Sequence, residues 1–205
     1  MKNKIILSVC FLGISFLSFA QEDDKSKFSY GLKFGVGSST LENNQIGVLD
    51  GNLLAIRFNV DYNFKDDSKT KLTSGFEILE FNSSFFNGTD QSRLKNEYLQ
   101  IPLRLTHRVN LDNEEKLNLI FGIGGYGNFL IRSRILELSD EINTKSGGFN
   151  FGYNISMGMD YNLTENTSVE LTFDVMNETS SIDKNGYEQK QTEIYLIGIG
   201  FSTRF

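Results

Sequence analysis

Leu53-Leu54-Ala55-Ile56-Arg57-Phe58-Asn59-Val60-Asp61-Tyr62-Asn63-Phe64 decides the fold. Leu54, Ile56, Phe58, Val60, Tyr62 and Phe64 are apolar, while Ala55, Arg57, Asn59, Asp61 and Asn63 between them are small or polar. Successive side chains of an extended chain point to opposite faces. A period of two therefore makes a strand with one oily face and one polar face.

The same pattern predicts eight strands, at residues 28–41, 53–64, 71–81, 97–109, 117–131, 149–161, 168–176 and 193–205. In the first, Tyr30, Leu32, Phe34 and Val36 oppose Gly31, Lys33, Gly35 and Gly37. The third is the least regular, because Ser74 and Leu79 blur its faces. Pro102, the only proline, lies on the polar face of the fourth; lacking an N–H, it predicts a bulge or a local break in pairing. Residues 132–142 carry the one competing helical period and fall in a loop.

The connections alternate in length. Residues 65–70, 110–116 and 162–167 are short and polar, whereas 42–52, 82–96, 132–148 and 177–192 are long. An even number of strands, short turns at one end and long loops at the other, predicts an eight-stranded antiparallel up-and-down transmembrane β-barrel of a bacterial outer membrane. Short turns and both chain ends then face the periplasm. Asp50-Gly51, Asn87-Gly88 and Asn185-Gly186 lie in three of the long loops. Each dipeptide suits a tight hairpin turn, so strands are expected to continue above the membrane.

Which face looks outward follows from charge. The polar face carries Arg57, Asp61, Glu77, Arg104, Glu170 and Asp174 at mid-strand. An isolated charge facing lipid near mid-membrane costs about 2–4 kcal/mol. Both signs are present, as a narrow lumen filled by paired side chains requires. These six residues are therefore predicted to form a charge network inside the barrel, with the oily faces in lipid. The alternative, a secreted lipocalin-like barrel with an apolar ligand inside, would be expected to follow its strands with a helix, and this chain closes on the strand ending in Phe205. The chain has no Trp, so Tyr62, Phe64, Tyr161, Tyr195 and Phe205 are left to supply an aromatic girdle.

The first twenty residues read as a secretion signal. Lys2 and Lys4 precede an apolar run from Ile5 to Phe19, and Ser18-Phe19-Ala20 offers a cleavage site. The run is short for a spanning helix. Cys10 follows Val9, where a lipidation motif wants a small residue, and is expected to leave with the signal. The barrel domain is then residues 21–205. Without Lys2 and Lys4, 18 basic residues face 26 acidic ones, a net charge of −8, which argues against nucleic acid. No cysteine remains and His107 is the only histidine, which leaves no basis for a disulfide framework or a zinc site. Mean hydropathy is −0.26, which disfavours helical spans but not barrel strands, half of whose residues are polar.

Other features read as structural. Gly122-Ile123-Gly124-Gly125-Tyr126-Gly127 has the spacing of a dinucleotide-binding turn, but lacks the alternating helices that fold needs. His107 sits at the headgroup boundary with no catalytic partners in view. Phe85 and Phe86 could contact a partner from the second long loop, or pack against a neighbouring hairpin. Glu137, Asp140 and Glu141 in the third loop have no recognisable ligand spacing and read as a solvated face. No catalytic residue, cofactor or metal is expected.

Several segments together resemble the PorT-like outer-membrane β-barrel family. They are Gly31-Leu32-Lys33-Phe34-Gly35, Tyr98-Leu99-Gln100-Ile101-Pro102-Leu103, Phe121 to Tyr126, Gly152 to Met159, and Gly198-Ile199-Gly200-Phe201 through Phe205. The resemblance implies an eight-stranded outer-membrane barrel, non-enzymatic and accessory to protein secretion. It gives no catalytic residues to carry over. Phe201 and Phe205 look like the insertion signal read by the outer-membrane assembly machinery, although Thr203 stands where such signals carry an aromatic or aliphatic residue. Expected partners are membrane lipids, that machinery during insertion, and a protein at the extracellular loops. The competing functional reading is a small lipid-modifying enzyme dependent on His107.

Overall fold

The computed structural model describes residues 27–64, 69–87, 90–137, 140–184 and 186–204. Ten strands lie among them: β1 (Phe28–Asn43), β2 (Gly47–Asn63), β3 (Thr70–Asn87), β4 (Asp90–Asn110), β5 (Leu117–Glu137), β6 (Asp140–Lys145), β7 (Phe149–Asn162), β8 (Thr167–Glu178), β9 (Ile182–Lys184) and β10 (Tyr187–Arg204). Eight of them close an antiparallel ring, β1-β2-β3-β4-β5-β7-β8-β10, and β10 pairs back onto β1. Two short strands lie off the ring: β6 pairs with the end of β5, and β9 with the start of β10.

The strands outrun their predicted limits at the long-connection end. The β1–β2 ladder continues to Asn43↔Gly47, and the β3–β4 ladder to Asn87↔Asp90. Asp50-Gly51 is therefore no turn. It lies within β2 opposite Thr40 and Ser39, and the Thr40 hydroxyl donates to Asp50 at 2.7 Å. The reversal is at Asn44-Gln45-Ile46, where the Asn43 side chain accepts from the N–H groups of Gln45 (2.9 Å) and Ile46 (3.1 Å). Ladder pairing overrides the local turn preference of the dipeptide. The helical period at 132–142 is likewise overridden, by β5 and β6.

Pro102 breaks pairing without shifting it. Ser74↔Leu103 and Glu77↔Gln100 share one register, and the ladder is interrupted between them, where Pro102 has no N–H to give. The bulge in β4–β5 sits elsewhere, between Glu97 and Tyr98.

The oily face is outside. Ile56, Ile155 and Ile199 are 49%, 52% and 59% exposed, whereas Arg57 and Asp174 are 1% exposed. Phe28, Tyr62 and Phe64 cluster at the short-turn end, with ring centroids 5.3 and 5.8 Å apart. Phe129, Phe149 and Phe151 cluster near the opposite rim at 4.5 and 4.4 Å. These bands bracket the apolar wall, as aromatic girdles do. Phe205 lies outside the described residues.

Closure depends on the β1–β10 seam. Its register runs from Ser29↔Arg204 to Ser38↔Tyr195, then shifts to Thr40↔Thr192 across a bulge in which Glu193 takes φ 51°. Beside it the Tyr195 carbonyl presses on Gly37, where a Cβ would overlap the oxygen. Gly37→Ala should therefore destabilise the folded barrel by at least about 1–3 kcal/mol through overpacking. Gly125→Ala, whose Cβ would meet one carbonyl at a tight 3.2 Å, should cost less, about 1 kcal/mol or below. Urea unfolding in detergent micelles distinguishes the two.

Candidate functional site: the filled lumen

Strand parity points every second residue of the eight ring strands inward, and the barrel is narrow, so the lumen is built from side chains in three layers. At the short-turn end is an open vestibule of about 540 Å³, lined among others by Lys69, Lys71, Arg108, Asn118, Glu165 and Arg204. Asparagines hold its rim: Asn63 donates to the Lys27 carbonyl at 3.1 Å and Asn162 to that of Glu115 at 2.6 Å.

The middle layer is ionic. The structure places all six predicted charges on the inner wall; Arg57, Arg104, Glu77 and Asp174 contact one another, and Asp61 and Glu170 are joined through lysine. Arg57 bridges Glu77 (Nε to Oε2, 3.4 Å) and Asp174. Arg104 bridges the same two carboxylates, at 3.0 and 3.5 Å, and its guanidinium also donates to Asn59 at 3.4 Å. Asp61 accepts from Thr73 at 2.6 Å, and Asn154 donates to Asp174 at 3.3 Å.

Sequence reasoning left this layer two positive charges short. The structure supplies them. Lys33 pairs with Glu170, and Lys71 pairs with Asp61 at 2.6 Å while reaching Glu170 at 3.8 Å. Arg108 with Asp160 adds a further pair toward the vestibule. Five cations thus face five carboxylates. Such balance is what keeps buried charges from being left uncompensated, at about 3–5 kcal/mol for each broken pair. The signal was in the sequence: Lys33, Arg108 and Asp160 all have the inward parity. A void of about 30 Å³ lies in this layer, room for one or two waters.

The third layer was not anticipated. Toward the rim of the long connections the inner wall turns apolar: Leu41, Leu53, Leu79, Phe81, Leu94, Tyr98, Leu130, Met176, Ile194 and Leu196 are buried in one cluster. Leu79, which blurred the faces of its strand, is a plug residue. Polar groups inside this cap hydrogen-bond to one another. Asn96 donates to Tyr98 (2.9 Å) and Gln189 (3.1 Å), and the Tyr187 hydroxyl donates to Gln189 at 2.9 Å. Burial pushes the Tyr187 phenol up, against the hydrogen bond with Ser133 that pulls it down, so it stays neutral. Glu178 makes no ion pair among the described residues; Asn128 (2.7 Å) and the Gln191 N–H (2.5 Å) donate to it.

The remaining predicted positions scatter over the surface. Phe85 packs against the apolar cap, while Phe86 is 76% exposed, so the pair splits. Phe201 faces outward on β10 between Leu32 and Val169. His107 faces outward on β4, its Nδ1 2.8 Å from the Thr70 hydroxyl. The glycine run 122–127 is continuous strand in β5. Glu137 ends β5 and Asp140 and Glu141 begin β6; their side chains lie outside the described residues. Among the described residues no group of three His, Cys, Asp or Glu side chains could hold a metal ion.

A closed eight-stranded ring with a lipid-facing apolar wall, aromatic bands and a charge-paired lumen defines a small outer-membrane β-barrel. Comparison with known families agrees: residues 9–205 match the family described as the outer membrane protein beta-barrel domain, and the chain belongs to it. That places it in the bacterial outer membrane. No curated protein matches the sequence. Among solved structures it is similar to Neisserial surface protein A (12% identity, 89% of this chain and 100% of that one, TM-score 0.54). It is similar also to OprG from Pseudomonas aeruginosa (14%, 88% and 97%, TM-score 0.53). A major outer membrane protein from Thermus thermophilus follows (13%, 88% and 100%, TM-score 0.52). At these identities the likeness is one of fold.

The middle layer generates a stability prediction. Asp174→Asn removes the carboxylate shared by Arg57 and Arg104 and should cost about 3–5 kcal/mol. Lys116→Gln, at an exposed pair with Glu114, should change stability by less than about 1 kcal/mol. Equilibrium unfolding of both variants in the same detergent provides the comparison.

Proposed function

We propose that this protein is a non-enzymatic scaffold that works through its extracellular hairpins and its outer wall, not through its lumen. One observation carries this reading: the lumen above the vestibule is filled first by paired charges and then by an apolar cap. Arg57, Phe81, Tyr98 and Leu196, on four different strands, are each no more than 1% exposed. A solute would have to break buried ion pairs and then open an oily plug. The exposed and adaptable surface is at the hairpins, where Phe86 presents its ring to solvent.

Within that reading the chain is a PorT-like barrel, accessory to protein secretion, whose extracellular hairpins bind a protein partner. Its first twenty residues are a signal removed near Ala20. Phe201 on the last strand, together with Phe205, presents the insertion signal to the assembly machinery, and lipids of the outer membrane cover the wall. What supports this is the motif set of the sequence together with the outward Phe201.

Planar-bilayer recording tests the filled lumen. Purified, refolded protein should give no large stable open state. A reproducible conductance of porin size, lost on denaturation, would contradict the reading. Shortening the β3–β4 hairpin by deleting residues 84–93 should leave a folded barrel that shifts on SDS gels when heated, because the ring closes below that level.

A further inference from the structure

The outer wall is not uniform. Within the apolar band of β5, Ile123 and Phe129 face lipid at 62% and 40% exposure, and the residues of the same parity between them are Gly125 and Gly127. The other band glycines of β1, β7 and β10, namely Gly31, Gly35, Gly152, Gly158, Gly198 and Gly200, share the inward parity. The two outward glycines leave a furrow walled by Ile101 and Leu103 of β4 and Phe151 and Tyr153 of β7, their direct cross-strand partners. The Phe149 ring lies over Gly127, within 2.9 Å of where a Cβ would be. Gly125 is less crowded: a Cβ there would meet one atom, the Gly152 carbonyl oxygen, at a tight 3.2 Å.

Directly above the furrow the same wall becomes basic. Its outward rows are Glu80–Glu97–Arg132, Asn82–Lys95–Arg134 and Ser84–Arg93–Leu136 across β3, β4 and β5. Lys95 engages Glu80 at 2.5 Å and Arg134 engages Glu97 at 2.5 Å. Arg93 and Arg132 are exposed and make no ion pair among the described residues. Among the described side chains of these rows four cations meet two carboxylates, a local excess of positive charge on a chain whose formal net charge is −6. Gly127 and Arg132 are five residues apart, about 17 Å along a strand, within the length of a fatty acyl chain.

We propose that the β3–β5 wall is a specific site for a phosphorylated glycolipid of the outer leaflet. Arg93 and Arg132, flanked by Lys95 and Arg134, hold the phosphate groups by charge-assisted hydrogen bonds, which guanidinium geometry favours. One acyl chain lies in the furrow over Gly125. This deepens the lipid contact of the proposed function. It rests on the extracellular orientation of the hairpins and not on the filled lumen, so bilayer recording and lipid retention can fail separately.

The test is native mass spectrometry of the full folded protein, released from detergent with added bisphosphorylated lipid A, with phosphatidylethanolamine, or with inorganic phosphate alone. The wild type should retain one lipid A. Arg93→Gln with Arg132→Gln should lower retention at least roughly tenfold, the scale of a lost charge-assisted contact. Gly125→Leu should lower it roughly fourfold for each methylene displaced from the furrow. Lys190→Gln, on a strand remote from β3–β5 in the ring, should change nothing. The arginine positions lie above the apolar band, so they carry the test even if Gly125→Leu fails to fold. Equal retention of lipid A by the double arginine variant, equal retention of phosphatidylethanolamine by the wild type, or displacement of lipid A by inorganic phosphate at equal concentration would each overturn the proposal.

Discussion

Hydrocarbon offers no hydrogen bonds, and this single constraint shapes the molecule. Every backbone N–H and C=O within the bilayer must find its partner inside the protein, and for strands that means a ring without edges. The β1–β10 seam is where the ring closes, and it carries a bulge at Glu193 and a close approach at Gly37. Once the ring is closed, the alternation of each strand has only one outcome. One face meets lipid and the other meets the opposite wall across a narrow lumen that, above the vestibule, is filled by side chains.

That narrowness explains the interior chemistry. Charges on the inner wall cannot be solvated freely, so they are compensated pairwise, and the shared carboxylates of Glu77 and Asp174 tie Arg57 on β2 to Arg104 on β4. Such a network gains little over a well-packed apolar core, but breaking any part of it is costly, which favours one fixed arrangement of the lumen. Toward the rim of the long hairpins the chain changes to an ordinary apolar core of Leu, Phe and Met side chains. The extended hairpins thus stand on a hydrophobic cap of their own and not on the bilayer.

How much of this was legible in the sequence depends on range. Alternation is local, so strand number, the faces of β2, β7 and β8 and the lipid-facing identity of Ile155 or Phe173 could be read directly. Pairing is not local. Lys33 and Lys71 carry the inward parity or border it, yet nothing in their own strands says that they meet Glu170 of β8. The apolar cap was hidden for a related reason: an apolar residue on the polar face, such as Leu79, reads as noise until the residues opposite, Ala55 on β2 and Tyr98 on β4, are known. Asp50-Gly51 misled because a turn-prone dipeptide permits a reversal without compelling one. The segment Tyr98-Leu99-Gln100-Ile101-Pro102 now has a physical reading. It places a buried phenol, a lumenal amide and a gap in the ladder side by side.

The basic rows above the Gly125 furrow and the filled lumen both presuppose that the oily face of every strand looks into lipid. The absence of tryptophan allows this to be measured on single reporters introduced one at a time. In vesicles containing lipids brominated along their acyl chains, tryptophan fluorescence of Ile155→Trp should be strongly quenched, because that side chain sits on the outer wall. Fluorescence of Tyr98→Trp, an aromatic exchange on the inner wall, should be nearly unaffected. Quenching of the second reporter and protection of the first would turn the barrel inside out and contradict the account.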